Sequence, residues 1–301
     1  MRGITYAIRS SLYVAVTNRC CTTSLIASRG PGISMPASFQ PLRGEFEPSA
    51  AEVLEDVAHC LRGGAFEEVV FAGVGEPLLR WQVVKEVAKS LRSRHAELLL
   101  FLPDNGGPTS TDTGKRQNIT TSNKKAANVR RKPLRLVTNG LWPALAAATE
   151  TADGCANANL LGSIGRRPRE RIADRADSVG FRSTLDSSSS TTGMSADGEE
   201  PARNNGDAAV LAKEIAALFD SVSIALNTAD PAQYEQLMKP SVDGLRLQDA
   251  HAVVCDVVRE CVAHGLPTEC TVVDREDVDV KRAQELAMGL GASCRVRPYF
   301  P

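Results

Sequence analysis

Five short segments hold the residue types that do chemistry. Thr17-Asn18-Arg19-Cys20-Cys21 carries two adjacent thiols, and Gly73-Val74-Gly75-Glu76-Pro77 sets a carboxyl in a glycine-rich turn. Thr138-Asn139-Gly140 follows an apolar run, Ser223 and Asn227 sit in and after another, and Arg295 and Arg297 precede Pro298 and Tyr299. Thiolates are soft ligands for iron and zinc. A Gly-x-Gly backbone turns sharply and lets a ligand come close. Each segment also has a plain reading. Gly73-Val74-Gly75 lacks the third glycine of a dinucleotide fingerprint, Thr138-Asn139-Gly140 is a common turn signal, and Asn227 ahead of Asp230-Pro231 can open a helix. His59, His95, His251 and His264 show no metal-ligand spacing, and no Ser-His-Asp arrangement is suggested. Cys255 and Cys261 read as buried structural thiols on a helix.

These segments matter only if the elements between them bring them together. Strands are predicted at Ser11 to Thr17, Glu67 to Ala72, Leu134 to Thr138, Ser221 to Leu226, Thr268 to Val273 and Ser293 to Arg297. Helices are predicted at Pro48 to Arg62, Leu79 to Arg94, Ala208 to Phe219, Pro231 to Met238, Asp249 to His264 and Val278 to Leu290, the last closed by Gly291. Strands alternating with helices predict parallel βα units. Two polar stretches, 104–133 and 150–208, hold too few large apolar side chains to offset their ordering entropy and read as low-complexity insertions in a single 1–301 domain. The first carries Lys115, Arg116, Lys124, Lys125, Arg130, Arg131 and Lys132, a weak anion or nucleic-acid tether at most. The remaining chain is shorter than the roughly 250 residues of a closed eight-unit barrel. An α/β fold built as an open, partial (β/α)6 TIM-like barrel therefore fits better, with a doubly wound sheet as the alternative. In both, ligands sit at the carboxyl ends of the strands.

Composition narrows the partners. The chain is 43% apolar, enough for a sizeable core, and its 35 basic and 36 acidic residues leave a formal charge of -1. That balance argues against a strongly basic nucleic-acid binder. No apolar run approaches the roughly 18 residues of a membrane span. Leu12 to Val16 is too short for a signal-peptide core. Eight cysteines without a secretion signal suggest an intracellular, cytoplasmic, reducing setting rather than a disulfide framework.

In this order, ITYAIRSSLYVAVTNRC, VVFAGVGEPLLR, RLVTNGL, DSVSIALNTADPAQYEQLMKP, TVVD and CRVRPY resemble the radical S-adenosylmethionine (SAM) superfamily. More narrowly they resemble the radical SAM proteins linked to TatD-type nucleases. The resemblance covers nearly all the chain outside the two insertions. It implies a partial barrel, a SAM cofactor and a [4Fe-4S] cluster on the loop after the first strand, used for radical chemistry on a substrate it does not identify. It implies Cys20 as a metal ligand, with Gly73, Gly75 and Glu76 along the SAM methionine. Thr138 and Asn139 would lie nearby, Ser223 and Asn227 would face the ribose or carboxylate end, and Arg297 would lie near SAM or substrate. The family's C-x3-C-x2-C run is broken here, because Ser24 and Ala27 occupy the second and third positions. Serine is a poor iron ligand and alanine has no ligand atom. Three accounts stay open: a catalytically inactive relative serving as a ligand-binding or scaffold protein, an enzyme with an unusual ligand set, or a mis-assigned reading frame between Cys20 and Pro31.

Overall fold

The computed structural model describes residues 3–100, 130–142, 205–242 and 244–301. Most of the two predicted insertions lies outside the described residues. All described residues belong to one compact unit.

The alternation expected from the sequence is present. A sheet of seven strands is built from β1 (Thr5–Ile8), β2 (Ser11–Val14), β3 (Glu68–Phe71), β4 (Leu134–Thr138), β5 (Ser221–Asn227), β8 (Thr268–Asp274) and β9 (Ser293–Pro298). Two short strands, β6 (Ser241–Val242) and β7 (Leu245–Arg246), form a separate antiparallel pair. In the main sheet the spatial order is the sequence order, and every pair from β2 to β9 is parallel. No strand-order reversal occurs, so the doubly wound alternative, which needs one, does not hold. The sheet is mixed α/β architecture with β1 and β9 as its edges.

The sequence reading missed β1. Arg9 takes a left-handed φ of 55°, which lets Thr5–Ile8 fold back antiparallel on β2 with Tyr6 opposite Tyr13. It also missed the β6–β7 pair, whose strands are too short to show a period-2 pattern.

Among the described residues, six helices flank the strands: α1 (Ala50–Gly63), α2 (Trp81–Ser93), α3 (Asn205–Leu218), α4 (Pro231–Met238), α5 (Ala250–Ala263) and α6 (Val280–Gly289). Helix α1 starts where Ser49 and Glu52 form a reciprocal capping box. Helix α4 starts at Pro231, with Asp230 accepting from the Gln233 N–H at 3.0 Å. Gly291 has a φ of 84° and closes α6 as expected.

Side-chain alternation along the strands divides the sheet into two unlike faces. Leu12, Val14, Val69, Phe71, Leu134, Leu136, Val222, Ile224 and Cys270 point one way, into a core shared with apolar residues of helices α1, α2, α3 and α5. Cys255 and Cys261 lie in that core as buried thiols. The other face sets ion pairs and hydroxyls beside a small apolar cluster of Val70, Ala72 and Val137. Ser11 donates to Glu68 at 2.6 Å, Arg135 grips Glu68 through two nitrogens at 2.7 and 3.1 Å, and Ser223 and Arg295 donate to Glu269 at 3.0 and 2.6 Å.

Two element boundaries differ from the sequence reading. Residues 130–133 belong to the fold: Lys132 is buried and donates to the Leu98 and Leu100 carbonyls, and Arg131 pairs with Asp220 at 3.5 Å. These two cations therefore make internal contacts and are not part of a basic tether. Helix α3 begins at Asn205, and its Ala208 is already in the core, so the second insertion stops short of 208. In α3 the buried apolar residues Ala208, Leu211, Ala212 and Ile215 share the helix with an exposed Val210, which blurs the pattern at its start.

Candidate functional site at the carboxyl ends of the strands

Glu76 organises the site. It follows β3, is 3% exposed, and accepts three hydrogen bonds. Its Oε1 takes the Leu78 N–H at 2.9 Å and the Thr138 hydroxyl at 2.7 Å, and its Oε2 takes the Asn139 N–H at 2.7 Å. The first bond caps the 3-10 turn Pro77–Arg80 that leads into α2, and the other two fix the end of β4. Burial pushes its pKa up to about 7, against the pull of these three donors.

Asn139 passes the connection on to the loop after β2. Its Nδ2 donates to the Cys21 sulfur at 3.1 Å and to the Thr22 hydroxyl at 3.3 Å. That loop is tied to α4: the Thr23 N–H donates to the Met238 carbonyl at 2.6 Å, and the Thr23 hydroxyl donates to the Leu237 carbonyl at 2.9 Å. Asn227, left-handed with a φ of 60° at a bulge between β5 and β8, donates to the Met238 sulfur at 3.0 Å. Cys20, Glu76, Thr138, Asn139 and Asn227 thus meet at one end of the sheet, as the sequence reading expected.

The two glycines serve the backbone. A Cβ on Gly75 would lie 2.3 Å from the Arg19 carbonyl oxygen and 2.6 Å from that of Thr17, and one on Gly73 would lie 3.0 Å from Ala15 Cβ. The Glu76 N–H donates to the Arg19 carbonyl at 2.8 Å across this close approach. Ser223 does not join the group. It is the third residue of β5, near the strand's amino end, and its hydroxyl bonds Glu269. Ser223 therefore lies four residues, two repeats of the pleat, before Asn227 on the same strand. Arg297 lies on β9, and the groups that press on its charge are Arg29, Arg295, Glu269 and Tyr13 rather than Glu76.

Three participants carried no sequence signal. Tyr234 on α4 is fully buried, its hydroxyl has no hydrogen-bond partner among the described residues, and burial, then the neighbouring Cys21, Glu76 and Cys20, push its pKa well up. His251 stacks edge-on against Tyr234 and bonds the Thr228 carbonyl at 3.0 Å; burial pushes its pKa down, toward the neutral ring. Glu47 accepts from Thr17, Arg19 and Arg80 and braces the same loop from outside. Burial raises the Glu47 pKa, but the Arg19 and Thr17 hydrogen bonds outweigh it and leave the group below its usual range. Tyr234 and His251 occupy helix positions that read as core, and Glu47 is a single acid in an irregular segment.

A [4Fe-4S] cluster does not fit the residues around Cys20. Cys20 is in contact with the Thr22 hydroxyl at 3.5 Å, and Cys21 is engaged by Asn139. Ser24 Oγ accepts the Ala27 N–H at 3.1 Å, so the second ligand position is spent on holding a turn. Burial, and then the nearby Glu76 carboxyl, push both thiols up and disfavour the thiolates that iron requires. Among the described residues, no group of three or more His, Cys, Asp or Glu side chains is placed to hold a metal ion. Also among them, no helix is long and apolar enough to cross a membrane.

No known family model matches the chain, and no curated protein matches it. Function therefore rests on the residues themselves.

Proposed function

We propose that the chain is a radical SAM-like partial barrel that keeps a ligand-binding end of its sheet and has given up the cluster, acting as a ligand-binding or scaffold protein. The observation that carries this reading is the state of the loop after β2. Cys20, Cys21 and Ser24 are each engaged with a neighbouring side chain or backbone group, while Glu76, Thr138, Asn139 and Asn227 still join that loop to β3, β4, β5 and α4. Glu76 and Asn139 spend their hydrogen bonds on each other's segments, so they position the rim rather than touch a ligand. Contact with a SAM-type ligand then falls to the polar face of the sheet.

Anaerobic iron and sulfide reconstitution, iron counting and EPR after reduction test the reading, together with calorimetry of SAM. No cluster with SAM bound supports it. A full cluster with SAM cleavage overturns it and restores the enzyme reading that the resemblance implies. No cluster and no SAM affinity removes the adenosyl ligand and leaves only a scaffold role, for which a TatD-type nuclease is the partner to test.

A further inference from the structure

The polar face of the sheet holds more positive charge than its acids neutralise. Arg295 and Arg297 alternate with core-facing residues on β9 and lie in register with Thr271 and Val273 of β8. Arg29 is brought to the same place by the chain's own backbone. The Phe300 N–H donates to the Arg29 carbonyl at 2.8 Å, the Gly32 N–H donates to the Phe300 carbonyl at 3.1 Å, and the Arg29 guanidinium lies over the Phe300 ring at 5.2 Å. A Cβ on Gly30 would meet the Phe300 carbonyl at 2.0 Å, so only glycine allows this approach.

Among the described residues, the acid that pairs with this group is Glu269. Glu269 pairs with Arg295 at 2.6 Å and also accepts from Ser223. Glu68, the other carboxylate of this face, is gripped by Arg135. Among the described residues, Arg29 makes a 3.4 Å contact from its Nε to the Pro298 carbonyl, besides the ring. Arg297 is the least satisfied: its Nε is buried with no partner, and no ion pair reaches its guanidinium among the described residues. Burial, then the repulsion of Arg295 and Arg29, pull its pKa down to about 10. Holding a buried guanidinium without a counter-ion is costly, and the planar fork matches carboxylate and phosphate oxygens.

We propose that Arg297 and Arg29, with Arg295 held beside them by Glu269, form a subsite for an oxyanion, a carboxylate or phosphate group on a small ligand. The inference deepens the ligand-binding reading and rests on the same sheet, but it does not need SAM.

The test is calorimetry and thermal unfolding of the full chain with inorganic phosphate and with succinate, at ionic strength held constant with chloride. We expect one of the two anions to bind and to raise the unfolding temperature. In Arg297→Met, which keeps the packing stem, that affinity should fall about tenfold or more, as loss of a charge-assisted pair implies. Arg259→Met, on the outer side of α5, should leave it unchanged. The anion that binds names the group. Binding of neither anion to the parent chain overturns the proposal. So does equal weakening by Arg297→Met and Arg259→Met, which would mark general charge screening. If R297M does not fold, Arg29→Gln carries the same comparison. SAM calorimetry separates the readings: anion binding without SAM affinity sinks the adenosyl ligand and keeps the subsite. SAM affinity with no response to either anion does the reverse.

Discussion

The carboxylate of Glu76 accepts the backbone N–H of Asn139 at 2.7 Å and so joins the turn after β3 to the end of β4. Asn139 in turn holds Cys21 and Thr22 of the loop after β2, so the bond links three segments at this end of the sheet.

The first prediction concerns pH. The folded chain binds the Glu76 proton more tightly than the unfolded chain, since burial lifts the pKa from 4.5 to about 7. The stabilising effect of that proton is complete below the unfolded value and is lost as pH rises through about 7. The difference is about 3 kcal/mol at most. Urea unfolding at a series of pH values should show stability declining across this window. Glu76→Gln should flatten the slope, and it should destabilise at every pH by about 1–3 kcal/mol because its amide places a donor against the Asn139 N–H. An unchanged slope in E76Q would assign the pH dependence to another group.

A second prediction contrasts two glycines. Gly75→Ala forces a Cβ into the Arg19 and Thr17 carbonyls and should cost about 3 kcal/mol or more. Gly206→Ala, on the open side of α3 with nothing within 4 Å, should gain up to about 1 kcal/mol from helix propensity. Thermal unfolding of both variants reads the difference. Equal midpoints would mean that the close approach after β3 relaxes without cost.

Restoring the missing ligands is the third. Ser24→Cys combined with Ala27→Cys rebuilds the C-x3-C-x2-C spacing from Cys20. The double variant should take up iron and sulfide on anaerobic reconstitution and show the broad visible absorption of a cluster, while the parent chain should not. Failure of the double variant would mean that the loop's ties to Asn139 and α4 hold Cys20 out of reach.

The fourth prediction is chemical protection. Burial pushes Cys255 up to about 11 and Cys261 and Cys270 up to about 12. At neutral pH the thiolate fraction is below about one in a thousand for each. Iodoacetamide labelling followed by peptide mass spectrometry should find these three unmodified in the folded chain and modified after denaturation. Rapid labelling of Cys261, which is fully buried, would contradict the core described here.

Much of the fold was legible because apolar residues recur at the two periods that define strands and helices. Leu134–Thr138 and Pro231–Met238 fall where the pattern puts them. β1 was not legible, because Arg9's left-handed turn replaces the usual glycine or asparagine signal of a hairpin. At the site, the strand-end rule was enough to gather Cys20, Glu76, Asn139 and Asn227. It says less about Ser223, because a residue's place along its strand, not only its strand, decides which end it lies nearest. Tyr234 and Arg29 were invisible for another reason: each reaches its place through contacts between segments far apart in the chain, which no local spacing records.

The antiparallel β1 has one more effect. It takes up the hydrogen-bonding side of β2 that faces away from β3. β9, at the far margin, therefore cannot pair with β2, and the edges left to the sheet are those of β1 and β9. The two margins of the sheet are thus chemically unlike, with Tyr6 on the antiparallel β1 at one edge and Arg295 and Arg297 on the parallel β9 at the other.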